Sequence, residues 1–242
     1  DKIVQNAVLN QLEPLLENFF LPCSFGYRPN INYHNAIKFI TTTWQNIIWI
    51  FNMNIHNYFD KTNQNILINK VKHYCDQATS NLIRKFLKSG YIDLNCFSNT
   101  VKTTSGTVFQ KSPISPILSN WYLHSLDSYV SNKLIPEWTK GKSKKYNIDN
   151  HILLKTNKQT ILKSLNFLET LRIFNNLKHN QWTAQIFFSI KPKDINFRRL
   201  HYTRYANNII FGFIGTKEEA LTIEFEIRRF VSQQLKLEIN TN

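Results

Sequence analysis

Apolar positions along this chain switch from helical to strand spacing and back again. Ile3, Val4, Ala7, Val8, Leu12, Leu15 and Leu16 recur at helical intervals and predict a first helix. Asp1 is placed to cap it, and Pro14 is placed to kink or end it. Cys23-Ser24-Phe25-Gly26-Tyr27-Arg28-Pro29 reads as a loop, and Tyr33 to Thr43 as a second helix. The apolar run Ile47-Ile48-Trp49-Ile50-Phe51-Asn52-Met53 predicts a strand buried on both faces. Helical spacing returns from Asn65 through Leu67, Val71, Tyr74 and Ala78, and resumes at Leu82, Ile83, Phe86 and Leu87. Thr100 to Phe109 is expected to be extended. Pro113 and Pro116 punctuate a loop and pre-set a helix carrying Leu118, Trp121, Tyr122, Ser125, Leu126 and Tyr129 on one broad face.

Further on, two runs rich in β-branched and aromatic residues flank Asn207-Asn208 between Leu200 and Gly215. The pair therefore reads as the turn of a hairpin. Thr216-Lys217-Glu218-Glu219 has capping-box spacing, and the helix it opens runs through Ile223, Ile227, Phe230 and Val231 towards Leu235. Between these regions, residues 133–200 lose regular periodicity. Lys133 to Lys163 holds eight lysines against Glu137 and Asp149. This stretch reads as an insertion with a helix around Gln159 to Leu177. It is either a solvated lysine-rich loop or a phosphate-contacting arm in which Trp138 and Tyr146 stack on bases.

Composition narrows the function classes. The 242 residues suit one large domain or two small ones, and 42% hydrophobic content allows a sizeable core. Six glycines argue against a turn-rich sandwich. The net charge of +14 favours a polyanionic partner, and no apolar run has the length of a membrane span, so nucleic acid is expected rather than membrane. Cys23, Cys75 and Cys96 form no paired spacing and read as reduced core thiols. The histidines are scattered, so neither a metal nor a cofactor is expected. The chain opens on Asp1 without Met, which suits a processed chain, a split one or a piece of a longer protein. Abundant Asn, Ile, Lys and Phe match an A+T-rich coding sequence, as in many organelle genomes, most simply a mitochondrial one.

Several blocks occur in a set order: Asp1-Lys2-Ile3-Val4-Gln5, Ser24-Phe25-Gly26-Tyr27-Arg28-Pro29, Met53-Asn54-Ile55-His56-Asn57-Tyr58-Phe59-Asp60, Leu87-Lys88-Ser89-Gly90-Tyr91, the run from Ile114 to His124, Phe197 to Ala206, and Gly212-Phe213-Ile214-Gly215. Together they resemble group II intron reverse transcriptase/maturases across nearly the whole chain. The resemblance implies an α+β fold: reverse-transcriptase-like fingers and palm, with a small antiparallel palm sheet and packed helices. Residues 1–45 would be a helical part of the fingers and 46–132 the first part of the palm with connecting helices. Residues 133–198 would be the basic excursion, and 199–242 the palm hairpin with its following helix.

In that family, one aspartate on the first palm strand and the first aspartate of a Tyr-Ala-Asp-Asp hairpin ligate the catalytic metals. The matching positions here are Asn54 and Asn207, and the second hairpin aspartate matches Asn208. Two Mg²⁺ ions about 3.5–4 Å apart clamp the attacking and leaving oxygens in such sites. Mg²⁺ is bound mainly through carboxylates, whereas an amide offers one neutral oxygen. Asp60 matches a further family carboxylate just past the strand. Where the family has Pro-Gln-Gly-Gly, this chain has Phe109-Gln110-Lys111-Ser112, whose side chains would crowd the substrate. The resemblance thus implies a polymerase site without its chemistry, with no catalytic residues and no bound metal. For Asn54, the alternative to a residual metal role is an amide that hydrogen-bonds across to the hairpin.

RNA grip would remain. The expected contacts are Arg28, Lys38, Arg84, Lys85, Lys88, Lys111, Lys140, Lys142, Lys144, Lys145, Lys191, Lys193, Arg198 and Arg199. For Arg28, a structural arginine bonded to carbonyls is the competing expectation. Phosphate contacts of this kind give affinity and salt dependence rather than base specificity. The expected function is a catalytically inactive, maturase-derived protein that stabilises structured organellar RNA, with protein neighbours in a ribonucleoprotein. Two alternatives stay open: a structural subunit of a mitochondrial ribosome, and an active RNA-directed DNA polymerase.

Overall fold

The computed structural model describes residues 2–56, 58–89, 91–92, 101–102, 112–141 and 197–240. Helix α1 (Lys2–Glu17) and helix α2 (Tyr33–Thr43) precede strand β1 (Trp49–Asn54). Three helices follow, α3 (Tyr58–Lys61), α4 (Gln64–Lys72) and α5 (Gln77–Lys88). Strands β2 (Tyr91–Ile92) and β3 (Val101–Lys102) pair with each other. Helix α6 (Ser115–Tyr129) runs through a π-helical turn at Val130–Leu134 into α7 (Ile135–Glu137). Strands β4 (Arg199–Tyr205) and β5 (Asn208–Ile214) and helix α8 (Lys217–Leu235) complete the described fold.

Local chemistry explains most boundaries. Asn32 and Asn35 form a reciprocal capping box that opens α2. Asn63 and Asp76 each accept two backbone N–H groups, so the helical pattern from Asn65 to Leu87 is two helices, α4 and α5. Thr216 and Glu219 form the expected capping box of α8. Pro14 does not end α1 at once: the helix continues to Glu17, and the Asn18 amide donates to the Pro14 carbonyl at 3.0 Å.

The central sheet has the order β1-β5-β4, antiparallel throughout. Short segments extend it at both edges. Ile55 bridges Ile239, and the Asn240 N–H donates to the Asn54 carbonyl at 2.9 Å. Beside β4, Ser24 makes a parallel bridge to Arg204, and Lys140 pairs with Arg198. Each edge is thus bridged at one end or both, which shortens the run of open ladder groups. The mixed helices and antiparallel sheet make the fold α+β.

One face of the sheet carries Phe51, Met53, Ile209, Phe211, Phe213, Leu200 and Tyr202, all buried in a single core with α6 and α8. Phe51 and Phe211 stack at 5.0 Å. Two tyrosine hydroxyls tie the helices in: Tyr122 donates to the Leu235 carbonyl and Tyr58 to the Ser119 carbonyl, each at 2.5 Å. The opposite face is covered at one end by Trp44, which lies against Gly212 and 5.7 Å from the His201 ring. Its other end, around Asn54 and Asn208, is only half-buried.

Strand β1 corrects the expectation from its apolar run. It is not buried on both faces: Phe51 and Met53 are buried while Asn52 is exposed. An antiparallel sheet with one open end needs only alternate positions to be apolar.

Candidate functional site

The hairpin tip is built from the β4–β5 turn. Tyr205 faces Asn208 across the ladder, so Ala206 and Asn207 are the two turn residues. This corrects the expectation that Asn207-Asn208 forms the turn. Ala206, rather than an asparagine, takes positive φ, at 54°. Asn208 is the first residue of β5 because it pairs both with Tyr205 and with Asn54 of β1.

That unusual alanine conformation is held from beneath. The Arg204 guanidinium donates to the Ala206 carbonyl at 2.9 Å. It also donates to Asp127 at 2.7 and 2.9 Å, to the Asn120 Oδ1 at 3.1 Å and to the Ser24 Oγ at 2.7 Å. Tyr202 donates its hydroxyl to the same aspartate. Arg204 and Asp127 are both wholly buried. Burial works against the guanidinium charge, but Asp127 more than offsets it and keeps Arg204 firmly protonated. Burial, with the negative charge of Asp127 behind it, pushes the Cys23 thiol up to about 12, which makes it an inert packing group. Lone sequence signals for this hub are slight: Asp127 lies among apolar positions of α6, and Arg204 alternates into the core with Tyr202.

Asn120 links this hub to the loop over the hairpin. Its Nδ2 donates to the Gly26 carbonyl at 2.6 Å. Gly26 must lack a side chain, since a Cβ there would sit 2.3 Å from the Ala206 nitrogen. Tyr27 follows in left-handed backbone, φ 56°, and is 46% exposed, with its ring 6.4 Å from that of Phe59.

The three asparagines singled out in the sequence come together at this tip. The Asn54 Nδ2 donates to the Asn208 Oδ1 at 2.6 Å. The Asn207 Nδ2 makes a long contact of 3.5 Å with the Asn54 Oδ1 and donates to the Ile55 carbonyl at 3.3 Å. The amides thus satisfy one another as a donor–acceptor chain. Carboxylates at the same spacings would repel and require a cation between them. This donor set does not fit a pair of Mg²⁺ ions, because it lacks charge and its central oxygens already accept hydrogen bonds. The Asp60 side chain lies outside the described residues. Ser112 donates its hydroxyl to Gln5 of α1 at 2.5 Å.

The basic residues divide into two groups. Arg28 is 10% exposed and committed within the fold, to Glu17 at 2.5 and 2.8 Å and to the Leu21 and Ser24 carbonyls. Arg198 pairs with Glu219 at 2.6 Å. Arg199 donates to the Lys140 and Gly141 carbonyls and lies over the Phe197 ring. Lys38, Lys85, Lys88 and Lys140 are exposed, and Arg84 is half-buried. Arg84, Lys85 and Lys88 form one stripe of α5, opposite the buried Ile83 and Leu87. Lys111, Lys142, Lys144, Lys145, Lys191 and Lys193 lie outside the described residues, as do Tyr146 and the expected helix around 159–177. Trp138 is half-buried and packs edge-on against Phe213 at 6.0 Å. This places it at the core rather than on a base.

No protein-family profile matches the chain. It is similar over 99% of its length to the COX1/OXI3 intron 2 protein of Saccharomyces cerevisiae, at 30% identity. It is 28% identical over the same share to the group II intron-encoded protein LtrA of Lactococcus lactis subsp. cremoris. Its similarity is thus to group II intron-encoded proteins and intron maturases. A third relative, the mitochondrial nuclear intron maturase 2 of Arabidopsis thaliana, is 22% identical, again over 99% of this chain. The chain spans 27%, 39% and 34% of these three relatives.

Proposed function

We propose that this chain is a catalytically inactive, reverse-transcriptase-like RNA-binding protein of maturase descent that stabilises structured organellar RNA, most directly an intron. The amide chain Asn54–Asn208–Asn207 carries this reading. It occupies the positions that the family resemblance assigns to metal-binding carboxylates, and its members hydrogen-bond to one another directly. The sheet and hairpin are kept, because the hub around Arg204 and Asp127 supports the tip whatever its three polar residues are.

RNA binding is supported by the net charge of +14 and by the basic stripe of Arg84, Lys85 and Lys88, whose two lysines are exposed. Intron RNA is favoured over other polyanions by the names of the relatives, and a mitochondrial setting by the mitochondrial maturase of Arabidopsis. Two measurements test the proposal together. Primer extension in Mg²⁺ or Mn²⁺ is expected to yield no cDNA, and template-dependent synthesis would overturn the inactive assignment. Titration with a folded intron RNA is expected to give binding that weakens steeply with salt. Binding that is absent or indifferent to salt would remove the RNA role.

A further inference from the structure

We propose that the hairpin tip is a docking site for a nucleobase of single-stranded RNA, and that it works without a divalent cation. This rests on the RNA-binding function above and gives its ligand chemistry at one site.

The hydrogen bonds of the amide chain are unequal in what they leave over. Asn54 is used at both ends, giving through Nδ2 and accepting at Oδ1. Asn207 uses only its Nδ2, and Asn208 only its Oδ1. The Asn207 Oδ1 and the Asn208 Nδ2 therefore have no partner among the described residues. Both side chains are half-buried, so these atoms stay open to solvent. Because each amide reaches Asn54, both lie on one side of the sheet. The tip thus presents one acceptor beside one donor, held in place by their shared partner. Each nucleobase offers an adjacent donor and acceptor along its edge, which an acceptor from Asn207 and a donor from Asn208 can meet together.

Aromatic surface stands beside this edge. Tyr27 is 46% exposed, and its ring lies 6.4 Å from that of Phe59. Its backbone is pinned by the Asn120 Nδ2 and by the internal bonds of Arg28 next to it. Tyr205 faces Asn208 in the ladder and lies close enough to Tyr27 to disfavour ionisation of its hydroxyl, after the effect of burial. A tyrosine held outward is a stacking platform for a base. Electrostatics agrees with this use. The three amides carry no charge, so a phosphate-bearing strand meets no carboxylate of the trio at the tip and needs no metal to approach.

The test is fluorescence-polarisation binding in EDTA, with a short labelled oligoadenylate and an abasic strand of the same length and charge. The native chain is expected to prefer the oligoadenylate by roughly tenfold, the scale of one bidentate amide–base pair. Asn207→Ala and Tyr27→Leu are each expected to erase most of that preference while binding of the abasic strand is kept. Tyr27→Leu leaves every amide of the tip in place, so it guards against loss of folding in the other variant, and thermal melting of both checks this. Lys85→Glu is expected to weaken both strands alike. Equal affinity of the native chain for the two strands would overturn the site, as would an unchanged preference in both variants. If a folded intron RNA still binds in either case, the general RNA role stands and only this site falls. If no RNA binds at all, both fall.

Discussion

Arg204 of β4 and Asp127 of α6 form an ion pair at 2.7 Å in which neither side chain is exposed. It joins strand to helix and, through the Ala206 carbonyl, holds the hairpin turn. A buried charge deprived of its partner costs about 3–5 kcal/mol. Asp127→Ala is therefore expected to lower unfolding free energy by that order, read from urea denaturation. An unchanged midpoint would refute the support role.

Gly26→Ala tests the contact between loop and turn. The added methyl would meet the Ala206 backbone from 2.3 Å, and backbone cannot swing aside as a side-chain end can. Overpacking of this kind costs about 1–3 kcal/mol. The expected result is a lower melting temperature with unchanged helix content at low temperature.

Lys70 gives a pH dependence. Burial lowers its ammonium from the usual 10.5 to about 8, partly offset by Asp127, while its Nζ donates to the Tyr122 carbonyl at 2.7 Å. The unfolded chain then binds a proton more tightly than the folded one between these values. Its contribution to stability rises as pH increases from about 8 to 10.5 and is lowest below that window. The difference between native chain and Lys70→Met is expected to change across the window and to be flat below it, by chemical denaturation at stepped pH.

Placing charge at the tip tests what the amides achieve. The triple variant Asn54→Asp, Asn207→Asp, Asn208→Asp places three carboxylates where amides now bond at 2.6–3.5 Å. It is expected to melt lower than the native chain in EDTA and to recover with Mg²⁺, while the native chain responds to neither. A triple variant that melts alike in both conditions would show that the tip tolerates unpaired carboxylates.

The pairing of Lys140 with Arg198 has a consequence for the basic excursion. Two backbone hydrogen bonds, at 2.9 and 3.0 Å, bring the two ends of that stretch together beside β4. Replacing residues 142–196 with a short Gly/Ser linker is expected to leave cooperative unfolding intact, within about 1 kcal/mol. The same change removes Lys142, Lys144, Lys145, Lys191 and Lys193, so the salt dependence of RNA binding should become shallower. An equally steep slope would show that those lysines contribute nothing to RNA affinity.

Much of this architecture could be read from local pattern. Helix α2, the hairpin strands and the capping box of α8 follow from spacing and from side chains that act within a few residues. That positions 54, 207 and 208 hold three neutral amides is a matter of residue identity alone. What escaped was anything set by distant neighbours. The turn falls at Ala206-Asn207 because Arg204 and Gly26 hold it there, so the local preference of asparagine for positive φ does not decide it. For Arg28 the sequence left an RNA contact and a carbonyl-bonded structural role both open, and Glu17 with two carbonyls decides for the second. Sequence thus determined which charges exist and which segments coil or extend, because those depend on near neighbours. Only tertiary structure decided which cations face solvent, and which amide atoms stay free, because a hydrogen-bond partner 150 residues away is chosen by packing.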